Sequence, residues 1–302
     1  MRVTGFEFRV RGHFNSVKAF PVTRNSKLET RNSKPVTRNP KLETRNYRMS
    51  RRRFFAPPTA FSSERSTVTL GPEEARHLRD VLRLEPGNEV FIFDGEGKEF
   101  RCVVQDSHRG EAKLVVSNEV EPSRPESQLH LTLALALLKG DKFDLVVQKT
   151  TELGVHRIVP VLTKFADVRI RNPADGARRV ARWQRIALEA CKQSGRALVP
   201  EIDTPLACAS LVESPPSRDG EWRVMFAERD GGGLVEAIKK LPARPLAITA
   251  LVGSEGGWSE EEIALSRNAG WDVVTLGGRT LRAETAAITI AALLQHAFGD
   301  LV

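Results

Sequence analysis

The spacing of apolar residues changes once along the chain. Between residues 49 and 121, short stretches of apolar residues are broken by glycine- and proline-containing turns, which is typical of short strands. From Gln128 onward, longer apolar runs alternate with segments of helical spacing. The change predicts two domains, 49–121 and 128–302, joined by the polar segment 121–127 with its two prolines.

The first domain is predicted to be a small β-barrel, because its strands are short and separated by turn residues. Its single helix is predicted at 72–82, where a proline and two acids precede basic residues, the order that the helix dipole favours. The predicted strands are 54–55, 67–70, 89–93, 99–104 and 112–116.

The second domain is predicted to be a parallel α/β sheet, because strands alternate with helices along the chain. Its early strands are almost continuously apolar, as expected for strands that helices cover on both faces. The predicted strands are 129–138, 157–162, 199–202, 222–227, 246–252 and 273–276, and the predicted helices are 142–153, 177–194, 234–241, 260–268 and 284–298.

Composition assigns the positive charge to the N-terminus. Residues 1–48 hold twelve lysines and arginines and three acids, so this tail has a net charge of +9. Since the whole chain has a net charge of +8, residues 49–302 carry −1. Residues 21–46 repeat with a period of 14 and contain too few apolar residues to fold, which predicts disorder. The tail can be a basic interaction arm, an organelle transit segment, or translated repetitive DNA upstream of a start at Met49. We favour the third interpretation.

Several classes of protein are disfavoured. The longest apolar run, 129–138, is shorter than the roughly 20 residues that span a bilayer, and no secretory signal is visible. The three cysteines have no metal-ligand spacing and form no CxxC pair, so we expect buried thiols, no metal site and a cytoplasmic protein.

Two glycine-rich loops follow neighbouring strands near the C-terminus, at 253–257 and 277–278. If the strands are parallel, both loops open at the sheet edge where such folds bind ligands. No P-loop or GxGxxG pattern is present, and the carboxylate of Glu255 would repel a phosphate. A ligand with positive charge, such as an amine or a sulfonium, fits better. A tight turn that serves only backbone geometry is the alternative for either loop alone.

Basic residues near aromatic residues in the first domain suggest contact with RNA. Arg76, Arg79 and Arg83 recur at helical spacing, and three arginines precede Phe54 and Phe55. The alternative for each arginine is a solvated surface. We assign RNA contacts to Arg52, Arg53, Phe54, Arg76, Arg79, Lys139 and Lys149.

Long motifs resemble the ribosomal RNA small subunit methyltransferase E family. Val-Gly-Ser-Glu-Gly-Gly-Trp-Ser-Glu-Glu-Glu-Ile at 252–263 and Leu-Gly-Gly-Arg-Thr-Leu-Arg-Ala-Glu-Thr-Ala at 276–286 are similar to its two signature loops. The segments 52–57, 138–155, 182–183 and 189–196 also match, so the resemblance runs from about Met49 to the end and leaves out the repeat tail.

The resemblance implies a PUA-like RNA-binding domain followed by a SPOUT methyltransferase domain, in which the chain forms a trefoil knot. It implies a homodimer that uses S-adenosylmethionine to methylate N3 of a uridine in 16S ribosomal RNA of the small subunit. The residues implied to bind the cofactor are Phe226, Ala227, Val252, Gly253, Glu255, Gly256, Gly257, Leu276, Gly277, Leu281, Arg282 and Thr285.

For catalysis, we expect Arg282 to stabilise the uracil anion, and Glu255 or Glu284 to accept the N3 proton or to hold loop amides. An ion pair of Arg282 with either acid is the alternative for this arginine. The chain departs from the family pattern at Ser254 and Gly278, where proline is usual, and at 163–167, where a Glu-Arg pair is usual. The competing function is a non-catalytic RNA-binding or ribosome-assembly protein that keeps the fold.

Overall fold

The computed structural model describes residues 51–108 and 110–301. The repeat tail predicted for residues 1–48 and the start predicted at Met49 lie outside the described residues. Among the described helices, none is long and apolar enough to cross a membrane.

The first domain is a five-stranded sheet in the order β1-β3-β4-β5-β2. Strands β1 and β3 are parallel, and the other neighbours are antiparallel. The predicted helix is present, but its second half is a π-helical turn, His77–Val81. The elements are β1 Arg53–Phe55, β2 Thr67–Leu70, α1 Pro72–Arg76, β3 Glu89–Phe93, β4 Glu99–His108 and β5 Glu111–Val120, with a 3-10 turn at Pro58–Ala60.

The second domain is a parallel sheet in the order β11-β13-β10-β12-β6-β7-β8, with the short strand β9 beside β7. Its strands are β6 His130–Ala136, β7 Arg157–Leu162, β8 Glu201–Ile202, β9 Leu206–Ala207, β10 Trp222–Phe226, β11 Gly232–Gly233, β12 Ala247–Val252 and β13 Asp272–Thr275. Its helices are α2 Lys142–Glu152, α3 Pro173–Ser194, α4 Cys208–Val212, α5 Leu234–Lys240, α6 Glu260–Asn268 and α7 Ala283–Phe298.

The apolar strands are buried on both faces, as predicted. In β12, Ile248 and Ala250 point into the core shared with α2, α3 and α7, while Leu251 belongs to the core shared with α4 and α6. The fold therefore confirms the prediction of a SPOUT-type parallel sheet with helices on both faces, preceded by a PUA-like domain. The trefoil knot stays a prediction.

The differences from the predicted elements occur at weak local signals. Helix α3 begins at Pro173, four residues earlier than predicted, because the side chain of Asn172 accepts a hydrogen bond from the N–H of Asp175. Strand β4 continues to His108, past the predicted end at residue 104. The short elements β9, α4 and β11 were not predicted.

Buried arginines join the linker and the first domain to the second. Arg196 is 5% exposed, pairs with Glu126 at 2.7 Å and donates to the carbonyl of Thr151 at 2.7 Å. Arg53 pairs with the fully buried Glu99 at 3.0 Å and donates to the carbonyl of Arg196 at 3.0 Å. Since each charge is paired, these contacts fix the two domains without leaving a buried charge unsatisfied.

The three cysteines are buried thiols, as predicted. Burial raises the pKa of Cys102, Cys191 and Cys208 to about 12, so the thiol form dominates at neutral pH.

Candidate functional site: a pocket between three loops

A pocket lies where three parallel strands end. Strand β10 has β12 on one side and β13 on the other, so the loops that follow these strands meet at one edge of the sheet. This geometry confirms that the two glycine-rich loops open together. The pocket is lined by Phe226, Ala227, Glu228, Val252, Gly253, Ser254, Thr275, Leu276, Gly277, Gly278, Arg279, Thr280, Leu281, Ala286 and Ile290.

The first loop, residues 253–257, is held by packing. A Cβ atom at Gly256 would lie 2.7 Å from the carbonyl oxygen of Phe165, so no side chain fits there. The buried indole of Trp258 donates a hydrogen bond of 2.8 Å to the carbonyl of Phe226 and thereby ties this loop to the end of β10. Helix α6 then begins with the predicted capping box of Ser259 and Glu262.

The second loop, residues 276–281, has a different construction. Gly277 and Gly278 have φ of 72° and 73°, a region that glycine adopts without strain. Within the described part of the chain, the N–H groups of residues 277–281 donate to no backbone carbonyl. Arg282 is the N-cap of α7, and its side chain makes no capping hydrogen bond. These free N–H groups lie beside the pocket and are available to a ligand.

Two pocket hydroxyls have no partner. The side-chain oxygens of Ser254 and Thr275 are buried and make no hydrogen bond with any described residue. A Cβ atom at Gly231 would lie 2.5 Å from the Thr275 hydroxyl, so the chain approaches this oxygen closely from behind. Since buried polar groups are almost always paired in folded proteins, these two oxygens indicate a polar ligand.

Lys142 links the two acids predicted for catalysis. Its ammonium nitrogen lies 2.7 Å from Oε1 of Glu255 and 3.7 Å from Oε2 of Glu284. The lysine begins α2, whereas the acids belong to the first loop and to the first turn of α7, so one cation joins three segments. The hydrogen bond to Glu255 is the main cause that raises the pKa of Lys142.

The two carboxylates differ in their surroundings. Burial raises the pKa of Glu255. Hydrogen bonds from Lys142 and from the backbone, together with nearby lysine charges, lower it by more than burial raises it, so the pKa is lowered overall. Glu284 has a side chain that is 13% exposed, and its Oε2 accepts no hydrogen bond from the described residues. Glu255 is therefore hydrogen-bonded to Lys142, whereas Oε2 of Glu284 has no hydrogen-bond partner among the described residues.

Arg282 forms neither of the ion pairs considered for it. Its side chain is exposed, and within residues 51–108 and 110–301 it makes no ion pair and no side-chain hydrogen bond. Lys142, rather than Arg282, is the cation that pairs with Glu255 and Glu284. Arg282 is thus free to contact a substrate.

The predicted cofactor residues divide into two groups. Phe226, Ala227, Val252, Gly253, Leu276, Gly277 and Leu281 line the pocket, whereas Glu255, Gly256, Gly257, Arg282 and Thr285 lie outside its lining. Gly256 and Gly257 instead shape the first loop, and Glu255 binds Lys142. The residues that sequence reasoning missed are Ser254, Thr275, Arg279, Thr280, Ala286 and Ile290 in the lining, and Lys142 beside it.

The structure corrects two of the predicted RNA contacts. Phe54 is 1% exposed in the core of the first domain, so its ring cannot stack on a base. Arg53 pairs with Glu99 and has a side chain that is 7% exposed, so it serves the domain junction.

The other five predicted RNA contacts are accessible. Arg52 and Arg76 are exposed. Arg79 is hydrogen-bonded to Asp80, Lys139 pairs with Asp167 at 2.8 Å, and Lys149 pairs with Glu152 at 2.9 Å. Three of the five belong to the first domain, and Lys139 and Lys149 belong to the second.

Comparisons with known proteins agree over most of the chain. A family model described as RNA methyltransferase domain matches residues 125–295, and one described as RNA methyltransferase PUA domain matches residues 70–117. The chain is 34% identical to ribosomal RNA small subunit methyltransferase E of Synechocystis over 221 residues, which cover 73% of this chain and 70% of that protein. It is 29% identical to the protein of the same name from Bacillus subtilis, with 78% and 93% covered.

Solved structures show the same relation. The crystal structure of ribosomal RNA small subunit methyltransferase E from Neisseria gonorrhoeae, bound to S-adenosylmethionine, matches with a TM-score of 0.72 and 33% identity over 83% of this chain and 100% of that chain. A putative methyltransferase from Legionella pneumophila in complex with the same cofactor matches with a TM-score of 0.72 and 31% identity, with 83% and 99% covered.

Proposed function

Because the chain belongs to the ribosomal RNA small subunit methyltransferase E family, we propose that it transfers a methyl group from S-adenosylmethionine to N3 of a uridine in 16S ribosomal RNA of the small subunit. Membership makes it an RNA methyltransferase. The base, the atom and the cofactor are the proposal. The observation that carries it is the pocket between the three loops, with its two unpartnered hydroxyls.

The pocket has the groups that this cofactor requires. Leu276, Leu281 and Ile290 offer an apolar surface for a flat adenine ring, and the free N–H groups of the second loop can donate to its nitrogens. Ser254 and Thr275 can bond the ribose or the amino acid part of the ligand, which would satisfy their buried oxygens. Glu228 adds a carboxylate that favours the positive sulfonium and amine.

S-adenosylmethionine, when bound, supplies a methyl group on a positively charged sulfur. The remaining work belongs to the protein: holding the uracil ring in line, removing the N3 proton and stabilising the charge that develops on the ring oxygens. Alignment alone accounts for as much as about 7–11 kcal/mol of a barrier in favourable cases. The unpaired Arg282 suits the developing anion, because its guanidinium is exposed beside the pocket.

We further propose that the enzyme acts as a homodimer in the cytoplasm on assembled small subunits. Support for a dimer comes from α7, which exposes 39% of Leu293 although most of the helix is apolar. Support for the RNA comes from Arg52, Arg76, Arg79, Lys139 and Lys149, which remain accessible for phosphate contacts.

Methyl transfer from labelled S-adenosylmethionine to unmodified small subunits tests the proposal, with the modified base located by nuclease digestion and mass spectrometry. We expect one N3-methyluridine in 16S RNA. Removing residues 1–48 in a parallel sample tests whether the repeat tail matters. Protein that binds small subunits but shows no heat of binding with S-adenosylmethionine would support the non-catalytic alternative instead.

A further inference from the structure

The site contains two acids close to one lysine, and a nucleobase proton needs only one acceptor. This choice rests on the proposed function, since it concerns N3 of a uridine. The two acids are alike in chemistry, so their contacts decide between them.

Glu255 is already engaged. Its Oε1 accepts a hydrogen bond of 2.7 Å from the ammonium of Lys142. A carboxylate bound to an ammonium at this distance is a weak base, and the lowered pKa of Glu255 agrees with this. Its contact instead joins the first loop to α2.

Glu284 has the features of an acceptor. Its Oε2 is buried and accepts no hydrogen bond from the residues that the structure describes, while the ammonium of Lys142 is 3.7 Å away. This distance is too long for a hydrogen bond, so Lys142 leaves this oxygen without a partner. An N–H donor such as N3 of uracil would supply the hydrogen bond that this oxygen lacks.

We infer that Lys142 gives the two acids different tasks: its hydrogen bond holds Glu255 as the anchor of the first loop, and Glu284, whose Oε2 has no hydrogen-bond partner among the described residues, is the acceptor of the N3 proton. Lys142 is a positioning residue, and Glu284 is the catalytic one. Two other charged side chains face Lys142 and Glu255. The positive charge of Arg282 lowers the pKa of Lys142, and that of Lys139 lowers the pKa of Glu255.

The reaction balances with these groups alone. The N3–H bond breaks, and the proton goes to Oε2 of Glu284. The electron pair left on N3 forms the new bond to the methyl carbon, and the pair of the broken carbon–sulfur bond stays on sulfur. Glu284 then releases its proton to water.

Single-turnover methyl transfer to small subunits, measured between pH 5 and 9 with the full chain, tests this assignment. We expect Glu284→Gln to lower the rate by about 10²–10⁴-fold, the usual contribution of a general base. Glu255→Gln, the matched change at the other acid, should lower it less than about tenfold. Calorimetry with S-adenosylmethionine, a readout independent of turnover, should give Glu284→Gln the affinity of the wild type.

Two changes at Lys142 separate positioning from a purely structural role. Lys142→Met should lower the rate, because Glu255 and the first loop lose their anchor, and Glu284→Gln should still cause its full loss when it is added to Lys142→Met. Lys142→Arg should restore the wild-type rate. Carbon-13 NMR of glutamate carboxyls in the free protein adds a second readout, in which Lys142→Met raises the pKa of Glu255.

Three results would overturn the inference. One is a Glu284→Gln variant that transfers methyl groups at the wild-type rate, and another is a Glu255→Gln variant with the larger loss. The third is a Lys142→Met variant with a lower rate but an unchanged pKa of Glu255. A wild-type protein that modifies no uridine overturns the proposed function itself, and this outcome is distinct because it appears before any variant is compared.

Discussion

The two glycine-rich loops beside the pocket need glycine for different reasons. In the first loop there is no space, since a Cβ atom at Gly256 would lie 2.7 Å from the carbonyl oxygen of Phe165. One at Gly257, which also has a φ of 68°, would overlap the carboxylate of Glu228. In the second loop nothing lies within 4 Å of such an atom at Gly277 or Gly278, but both residues have positive φ. Close packing thus distinguishes the first loop, whereas the second needs glycine for backbone conformation alone.

The difference assigns different tasks to the two walls of the pocket. The first wall is fixed, because Trp258 ties it to β10 and Lys142 ties it to α2. The second wall makes no backbone hydrogen bonds through the N–H groups of residues 277–281 in the described structure. It can therefore adjust to a ligand without breaking contacts, whereas the first wall sets where the ligand lies.

A methyl group at Gly256 should break the fixed wall and have the largest effect. Gly256→Ala forces the loop away from the backbone of Phe165, which we expect to cost about 1–3 kcal/mol of unfolding free energy. Cofactor affinity should fall about tenfold or more, because Gly253 and Ser254 of the same loop line the pocket. Denaturant unfolding and calorimetry measure the two quantities.

The matched control is Gly233→Ala, since Gly233 has φ of −66° and open space around its Cβ position. This control should leave both quantities close to those of the wild type. If Gly256→Ala behaves like the control, the first loop is not held by packing.

Loss of the hydrogen bond from the Trp258 indole should also destabilise the first loop, but by less than Gly256→Ala does. Trp258→Phe leaves the carbonyl of Phe226 without its buried donor, at a cost of about 1–2 kcal/mol, and should weaken cofactor binding. Trp222→Phe is a matched control, because that indole bonds Asp272 at the opposite end of the strand from the pocket. Both variants should lose stability, but only Trp258→Phe should lose affinity. Equal affinities would show that the tie to β10 does not position the ligand.

A side chain in the second loop should affect binding without affecting stability. Gly277→Ala meets no neighbour, but its φ of 72° costs an alanine about 1 kcal/mol. Since the N–H groups of this loop make no backbone hydrogen bond in the described structure, the free loop can relax and relieve this strain, so the unfolding midpoint should change little. A bound cofactor imposes the strained conformation again, so its affinity should fall about fivefold. Thermal unfolding with and without S-adenosylmethionine separates the two effects. A clear loss of stability in the free protein would mean that the two walls are equally rigid.

The sequence predicted most of the fold because its signals are local. Strand β7 and helix α6 have the predicted ends, the latter because a capping box marks the start of the helix. The elements that were missed are two-residue strands and the five-residue helix Cys208–Val212, which are too short for apolar periodicity to detect.

The site was predictable only where single loops define it. The glycines could be read from the sequence, but Lys142 and Glu255 are 113 positions apart, and no local pattern pairs them. Phe54 was misassigned because a run of arginines next to two aromatic residues does not show which ring faces the core. The structure places Phe54 in the core of the first domain, while Arg53 and Phe55, on the other face of β1, pack at the junction with the second domain.

The smallest expected effect is the pH-dependent stability that the Lys142–Glu255 contact gives to the first loop. The pKa of Glu255 is lowered in the folded protein, so the contact stabilises the fold above the ordinary glutamate pKa of roughly 4.3 and is lost as the pH falls through the lowered value. The pKa of Lys142 is raised, so its contribution is present at neutral pH and is lost only in strong base. Because both groups are partly solvated, the difference in Tm between the wild type and Glu255→Gln should be about 2 °C or less at pH 7. Thermal scans from pH 7 to pH 3 should show this difference shrinking as the pH falls below the ordinary glutamate pKa, whereas a constant difference would mean that Glu255 holds the loop through some contact other than Lys142.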